Sequence, residues 1–472
     1  MEPVKPSYES YLQDESHIKG NAEYISFPKM EDELLEILKY AYEKKMHITF
    51  QGGKTGLTGG AVPGSGLIVN LSNMNEIGNI NKTETGATIT VGAGATLETL
   101  EKKIMSNGYF LPVDPTEKTA TLGGIYSVGA AGPGRLKYGD MKKYVESLKL
   151  VTPEGKTYYI KKGDKVDKIL PSSLTENLET LIKENNLPFS LEGNDLISLL
   201  SGSEGYLGVI TEITLRLLPV PKDIWGVVFF FNNEKEALKF SEIVRNENIS
   251  CFEFFNEETL KLLDSHRDSP LLKELPPFPK AINTAVYIEV SGDDGEANTE
   301  TLMNLLGLFS ETGGIEENTW AENGMESIRK FRDMRHAVPS ILSEDNRILS
   351  GLTRFETDCE LNMDPLSLLD FYETRLYEKN LKGIIYGHLL EGRLHVALLP
   401  NTSEEREKAT EYVKETFLKA IEENGYGISE NGIGQIKINL LKESLNKETI
   451  EVLDEVRSFF DNLKLMNPKL EE

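Results

Sequence analysis

The 472-residue chain has only two cysteines, Cys251 and Cys359. They are too few for a four-ligand zinc or iron–sulfur site and nothing like a disulfide scaffold, so a reducing compartment is expected. Long apolar runs are also missing. The most apolar short stretch, WGVVFFF at 225–231, is far below the ~20 residues that cross a bilayer. The N-terminus, MEPVKPSYESYLQDESH, has no basic-then-apolar signal pattern, and a soluble cytoplasmic protein is expected. Basic charge is in deficit: 51 Lys and Arg against 76 Asp and Glu give a formal net charge of −25. That field repels nucleic acid and anionic membranes, so an anionic substrate must be met by a few local Arg or Lys residues or by a metal. No low-complexity tract or fixed-period repeat interrupts the chain.

The length exceeds what one hydrophobic core usually supports, so two or more domains are expected. In EDELLEILKYAYEK (31–44), Leu34, Leu35, Ile37, Leu38 and Ala41 share one helical stripe. HITF, GLIVNL and GATITVGAG follow as strands, Thr96 caps a helix that Gly108 ends, and VESLKLVTPEGKTYYI (145–160) is a hairpin. Past Pro219 and Pro221 come the strands WGVVFFF, INTAVYIEV, LTRFETDCEL (352–361), GIIYGHLL and RLHVALLP, interleaved with helices. The pattern divides as 1–219, a second α+β domain over 220–424, and a segment 425–472 that packs back on the first.

The sequence is most unusual at QGGKTGLTGG (51–60), with five glycines in ten positions. A triphosphate loop requires glycine five positions before Gly53, where Ile48 stands. A nicotinamide fingerprint is better matched at ITVGAGATLETL, but Leu97 occupies the third glycine position and would obstruct close helix packing. The glycine loop still offers unobstructed backbone N–H groups able to approach a diphosphate, although an empty surface turn reads as well from the loop alone. PVDPTEKTATLGGIYSVGAAGPGRLKYGD (112–140) breaks the tie. With Pro112, Asp114, Pro115 and six glycines it reads as a long, nearly helix-free path, too apolar for disorder, along which a ligand should lie.

QGGKTGLTGGAVP, VGAGATLETLEKKIMSNGYFLPVDP, ATLGG, GAAGPGRLKYGD and GSEGYLGVITE occur in the order and spacing of a known family. The chain resembles FAD-linked oxidases and dehydrogenases of the vanillyl-alcohol-oxidase superfamily, in the glycolate oxidase and D-lactate dehydrogenase branch, over nearly its whole length. The resemblance implies an α+β, two-domain PCMH-type FAD-binding fold whose substrate (cap) domain carries an antiparallel sheet. It further implies that amides of Gly53, Lys54, Thr55, Gly56, Leu57, Thr58 and Gly59 surround the FAD pyrophosphate, and that Pro112, Thr121, Gly123, Gly124, Ser127, Gly134 and Ile210 line the rest. No histidine in these motifs matches a covalent flavin attachment, so noncovalent FAD is expected.

In GHLLEGRLH, His388 and His395 stand on consecutive strands, and Glu430 of ISENGIG is a third possible ligand. On spacing alone, scattered His and Glu are more often hydrogen-bonded structural residues. The resemblance implies more: related dehydrogenases hold a divalent metal (Zn, Fe or Mn) on the matching His388, His395 and Glu430, with a histidine as base after the Glu. Here that position is Asn431, whose amide cannot accept a proton near neutral pH. His336 is an alternative base. Arg335, in IRKFRDMRHAVPSIL (328–342), matches a family arginine near the substrate, and a guanidinium suits a carboxylate. A helix is expected there that Pro339 ends or kinks. Lys437 resembles a lysine at the flavin edge.

The leading expectation is a flavoenzyme oxidising a D-2-hydroxy acid to the 2-oxo acid. Its electrons pass to a protein partner, an electron-transferring flavoprotein or an iron–sulfur subunit, and a homodimer is compatible with the sequence. The rival is a flavin-binding subunit without turnover, marked by Asn431. A nicotinamide enzyme would rest on GAGATL alone.

Overall fold

The computed structural model describes residues 1–176, 178, 181, 195–348 and 355–468. The chain forms two compact units, one comprising Met1–Ala131, Asp140–Val220 and Ile428–Glu472, the other Gly132–Gly139 and Pro221–Gly427.

In the first unit a four-stranded sheet runs in the order β1 (Glu2–Pro3), β2 (Tyr24–Ser26), β4 (Leu67–Asn70), β3 (Ile48–Gln51). β2, β3 and β4 are parallel, which requires a crossover, and the helix Glu31–Glu43 supplies it between β2 and β3. Three acidic residues in its first turn suit the positive end of the helix dipole. Leu34, Leu38 and Ala41 pack against Ile48, Leu67 and Val69, with Leu35 and Ile37 partly buried at the margin. A second sheet is antiparallel, ordered β5 (Ile77–Thr83), β6 (Gly86–Gly92), β10 (Val209–Pro219), β8 (Val145–Val151), β9 (Thr157–Lys161), with β7 (Tyr109–Phe110) beside β10. The tail closes the open edge of β3: Ile48 N–H donates to Leu465 O at 2.8 Å and Asn467 N–H to Ile48 O at 2.9 Å.

The second unit is built on a seven-stranded sheet, ordered β14 (Thr319–Asn323), β11 (Asp223–Phe231), β13 (Thr284–Gly292), β12 (Cys251–Phe255), β16 (Gly383–His388), β17 (Arg393–Leu398), β15 (Phe355–Glu356). Its pairings are antiparallel. VVFFF does not alternate because both faces of β11 are covered. Val228 and Phe230 meet Phe331, Met334 and Val338 of the helix Met325–Ile348. Phe229 and Phe231 pack on Phe240 and Phe309 at ring separations of 4.9–5.6 Å. Each such ring, fully buried, contributes about 1.5–3 kcal/mol.

Three expectations are corrected. The 112–140 stretch is not helix-free: Leu122–Val128 and Arg135–Tyr138 are helices. Thr121 caps the first, and Gly123, a poor helix former, is needed because a Cβ there would lie 2.7 Å from that of Ala93. Packing overrides propensity. Of the end or kink expected at Pro339, the end is not found: the helix Met325–Ile348 continues through it, its apolar face anchored on the sheet on both sides of the proline. Of the expected strand 352–361, residues 352–354 lie outside the described residues, and only Phe355–Glu356 is strand among the rest. No helix among the described residues is long and apolar enough to cross a membrane.

Glu234, at the start of the helix Glu234–Val244, has its carboxyl raised to about 7 by burial and by the neighbouring Glu373 carboxylate. The unfolded group titrates near 4.5. Between those values the folded chain holds a proton that the unfolded chain has released, so this contribution to stability is complete below 4.5 and disappears as pH rises through 7. Thermal melts of Glu234→Gln and the parent are expected to diverge across this window, the variant becoming relatively more stable as pH rises. Parallel curves would contradict the assignment.

Candidate functional site

In the first unit the glycine loop leaves β3 at Gln51, which is buried and whose Nε2 donates to Tyr11 O (2.8 Å) and Ala61 O (2.7 Å). One side chain thereby fixes both the N-terminal segment and the far end of the loop. Gly52 and Gly53 come next because nothing larger fits: a Cβ would stand 2.0 Å from Thr121 Oγ1 at Gly52 and 2.8 Å from Thr119 O at Gly53. Lys54 has left-handed backbone, φ +59°, a strained state for a residue with a side chain. Its Nζ donates to Ser10 O at 2.7 Å and lies 4.4 Å from the centre of the Tyr11 ring. Burial holds that ammonium below its usual pKa. The side chain of Lys54 thus ties down the N-terminal segment.

The second expected ligand segment lies against the first. Thr121 Oγ1 accepts the Gly124 N–H at 3.4 Å, and Gly123 N–H donates to Ala93 O at 2.9 Å. Pro112 and Ile210 are buried, and Ser127 O accepts the Glu204 N–H at 2.7 Å. Gly134 groups with the second unit, at the start of the helix Arg135–Tyr138. The 430–437 loop also joins the glycine loop: Thr58 Oγ1 donates to Asn431 O at 3.0 Å, and Thr58 O accepts from Gln435 N–H at 2.8 Å and Ile436 N–H at 3.2 Å. Lys437, buried, precedes the helix Ile438–Ser444. Because β6 pairs antiparallel with both β5 and β10, the GAGATL turn does not belong to a parallel dinucleotide-binding unit, and the nicotinamide reading fails.

In the second unit the structure gathers Arg335 and His388 around a residue the sequence reading missed. Glu253, in the middle of β12, is completely buried. One carboxylate oxygen accepts from Arg335 Nε at 2.6 Å, and the other pairs with His388 Nδ1. Burial pushes this carboxyl up, but His388 and Arg335 together outweigh it and hold it below the usual range. The Arg335 guanidinium also lies over the Tyr386 ring at 4.8 Å, and Tyr386 stacks on His395 at 5.1 Å. One helical turn before Arg335, Arg332 grips Glu289 through two bonds of 2.7 Å. The available signal was a charge inside CFEFF, since a carboxylate in an apolar strand must have a buried partner. His336 is buried on the same helix, its carbonyl accepting from Ser340 Oγ at 3.0 Å.

Comparison with known proteins decides the family. Residues 22–160 match the family model described as "FAD binding domain" and residues 220–470 that described as "FAD linked oxidases, C-terminal domain". The chain belongs to the FAD-linked oxidases. It is 25% identical to a D-lactate dehydrogenase of Anaerostipes hadrus, over 98% of this chain and 92% of that one. It is 26% identical to the mitochondrial D-2-hydroxyglutarate dehydrogenase of Rattus norvegicus, over 96% and 78%, and 26% identical to a D-lactate dehydrogenase of Archaeoglobus fulgidus, over 93% and 89%. Among solved structures, an alkyldihydroxyacetonephosphate synthase is similar in fold, with a TM-score of 0.67 at 16% identity, covering 95% of this chain and 76% of that one.

The first unit of this FAD-linked oxidase suits FAD, because two glycine-rich stretches are packed together where Gly52 meets the Thr121 side chain. The expected metal finds no support. Among the described residues no group of three or more His, Cys, Asp and Glu could hold an ion. The rings of His388 and His395 are 6.4 Å apart at their centres, with His388 engaged by Glu253 and His395 stacked on Tyr386. Glu430 belongs to the first unit.

Gly52→Ala is expected to weaken FAD binding roughly 10- to 100-fold by forcing Thr121 away, measured by flavin titration of the apoprotein. Glu253→Ala leaves the buried Arg335 guanidinium without its carboxylate and His388 Nδ1 without its partner. It should cost about 3–5 kcal/mol in urea unfolding, and a loss below 1 kcal/mol would contradict the pairing.

Proposed function

We propose that this FAD-linked oxidase converts a D-2-hydroxy acid, of the size of lactate or 2-hydroxyglutarate, to its 2-oxo acid. Residues 1–219 serve the cofactor, 220–424 the substrate, and 425–472 complete the cofactor side. Support comes from relatives named D-lactate and D-2-hydroxyglutarate dehydrogenase that match along almost the whole chain. The observation that carries it is the buried Glu253 with Arg335 and His388 on its two oxygens.

FAD, when bound, supplies the two-electron acceptor. Arg335 holds the substrate carboxylate, whose edge the planar fork of a guanidinium matches. In an acidic chain this cation gives the anion a local reason to stay. His388 removes the hydroxyl proton. Glu253, kept ionised, orients its ring through Nδ1 and stabilises the imidazolium, so Nε2 is the atom that takes the proton. This assigns the base outside Asn431, whose amide cannot serve, and leaves Asn431 and Lys437 to bind. No step here runs through a metal. With two buried cysteines the chain has no iron–sulfur cluster of its own, and the electrons pass to a flavin- or cluster-bearing protein.

Asn431 favours one other reading, a flavin-binding subunit without turnover. Anaerobic addition of D-lactate, D-2-hydroxyglutarate or glycolate to the yellow holoprotein separates the two: bleaching of the flavin is expected, and a spectrum unchanged by all of them would select the subunit. Arg335→Lys should raise KM roughly 10- to 100-fold, because an ammonium cannot reproduce the paired bonds. Unchanged KM would remove Arg335 from substrate binding.

A further inference from the structure

Glu204, in the loop GSEGYLG before β10, is one of the few non-glycine residues with left-handed backbone, φ +49°. That conformation persists where the surroundings over-determine it, and here they do so from three directions. The Glu204 N–H donates to Ser127 O at 2.7 Å, in the segment expected to line the flavin, and its carbonyl accepts from Asn467 Nδ2 in the C-terminal segment. Its carboxylate faces the 430–437 loop, where Oε1 accepts the Ile433 N–H and Oε2 the Gly434 N–H, the latter at 3.0 Å.

Two successive amides closing on one carboxylate form an anion-binding nest, a shape that needs left-handed glycines. Gly432 and Gly434 have φ of +77° and +52°. A Cβ on Gly432 would stand 2.6 Å from Glu204 Oε1, so the motif ENGIG leaves room there for the carboxylate to enter. Burial raises the Glu204 carboxyl above its ordinary range, while the two amides and Lys437 pull it back. The same loop is tied from its other side by Thr58, through Asn431 O, Gln435 and Ile436. Asn431 therefore sits in a loop held between one residue of the glycine loop and one of GSEGYLG.

We infer that Glu204 is a positioning residue: its carboxylate, seated in the nest of Ile433 and Gly434, holds Asn431 and Lys437 in register with the cofactor loop at Thr58. Only the kinetic arm of the test rests on the hydroxy-acid reading. Full-length holoprotein carrying Glu204→Ala, Glu204→Gln or Thr58→Val is compared with the parent by hydrogen exchange of residues 431–437, by FAD dissociation constant, and by kcat and KM for the hydroxy acid turned over fastest.

In Glu204→Ala, exchange of these amides should rise roughly tenfold or more and kcat fall roughly tenfold at a smaller change in KM, with FAD affinity held within about threefold. Glu204→Gln, whose amide oxygen still accepts an N–H, should recover most of kcat, and Thr58→Val should loosen the same amides. Parental exchange in Glu204→Ala, equal damage from Gln and Ala, or FAD loss in step with exchange would each overturn the assignment. If Glu204→Ala does not fold, the Gln and Val variants decide by the same exchange comparison. Were no hydroxy acid oxidised by the parent, the proposed activity would fail while exchange and flavin affinity still judged Glu204.

Discussion

The backbone at Gly52 and the hydroxyl of Thr121 approach so closely that a single methyl group would collide at 2.0 Å. This contact draws two distant segments of the first unit together, with the Thr121 side chain against bare glycine backbone. Much of the neighbouring structure maintains it. Gln51 and Lys54 bind the N-terminal segment to the loop, Thr58 carries the 430–437 loop, and the tail lies along β3. A diphosphate needs many weak donors in fixed positions, and donors carried by the backbone lose no rotamer freedom on binding.

Buried carboxylates provide the second organising theme, unexpected in a chain whose formal charge of −25 already disfavours more negative charge. An ion taken out of water costs several kcal/mol unless it is matched closely. Glu253 is matched by a guanidinium and an imidazole, Glu289 by Arg332 and the Tyr287 hydroxyl, and the half-buried Glu204 by two amides. Since each carboxylate tolerates so few arrangements, each one fixes the groups around it. In the second unit this fixes a guanidinium and an imidazole on one carboxylate; in the first it fixes the path of a loop.

Local patterns made many elements legible. The stripe of Leu34, Leu38 and Ala41 identified a helix, Thr96 its cap on the next one, and Pro-Glu-Gly the hairpin between β8 and β9. The glycine loop stood out by its composition, and Arg335 and His388 were singled out from their motifs, although not for the carboxylate they share. Other features lay beyond local reading. Gly123 and Gly124 disguised a helix that exists because Gly123 fits against Ala93. Pro339 looked like a stop but lies in a helix whose apolar face is bound to a sheet on either side.

The sequence by itself determined the periodic elements, the glycine-rich ligand loops and the family to which they belong, since each is written in spacing along the chain. Only the tertiary structure decided which charges meet. Glu253 and His388 are 135 positions apart, and Glu204 and Ile433 are 229 apart. Contacts across such distances follow from sheet register and loop closure, and a buried ion's partner is selected by geometry that no neighbouring residue records.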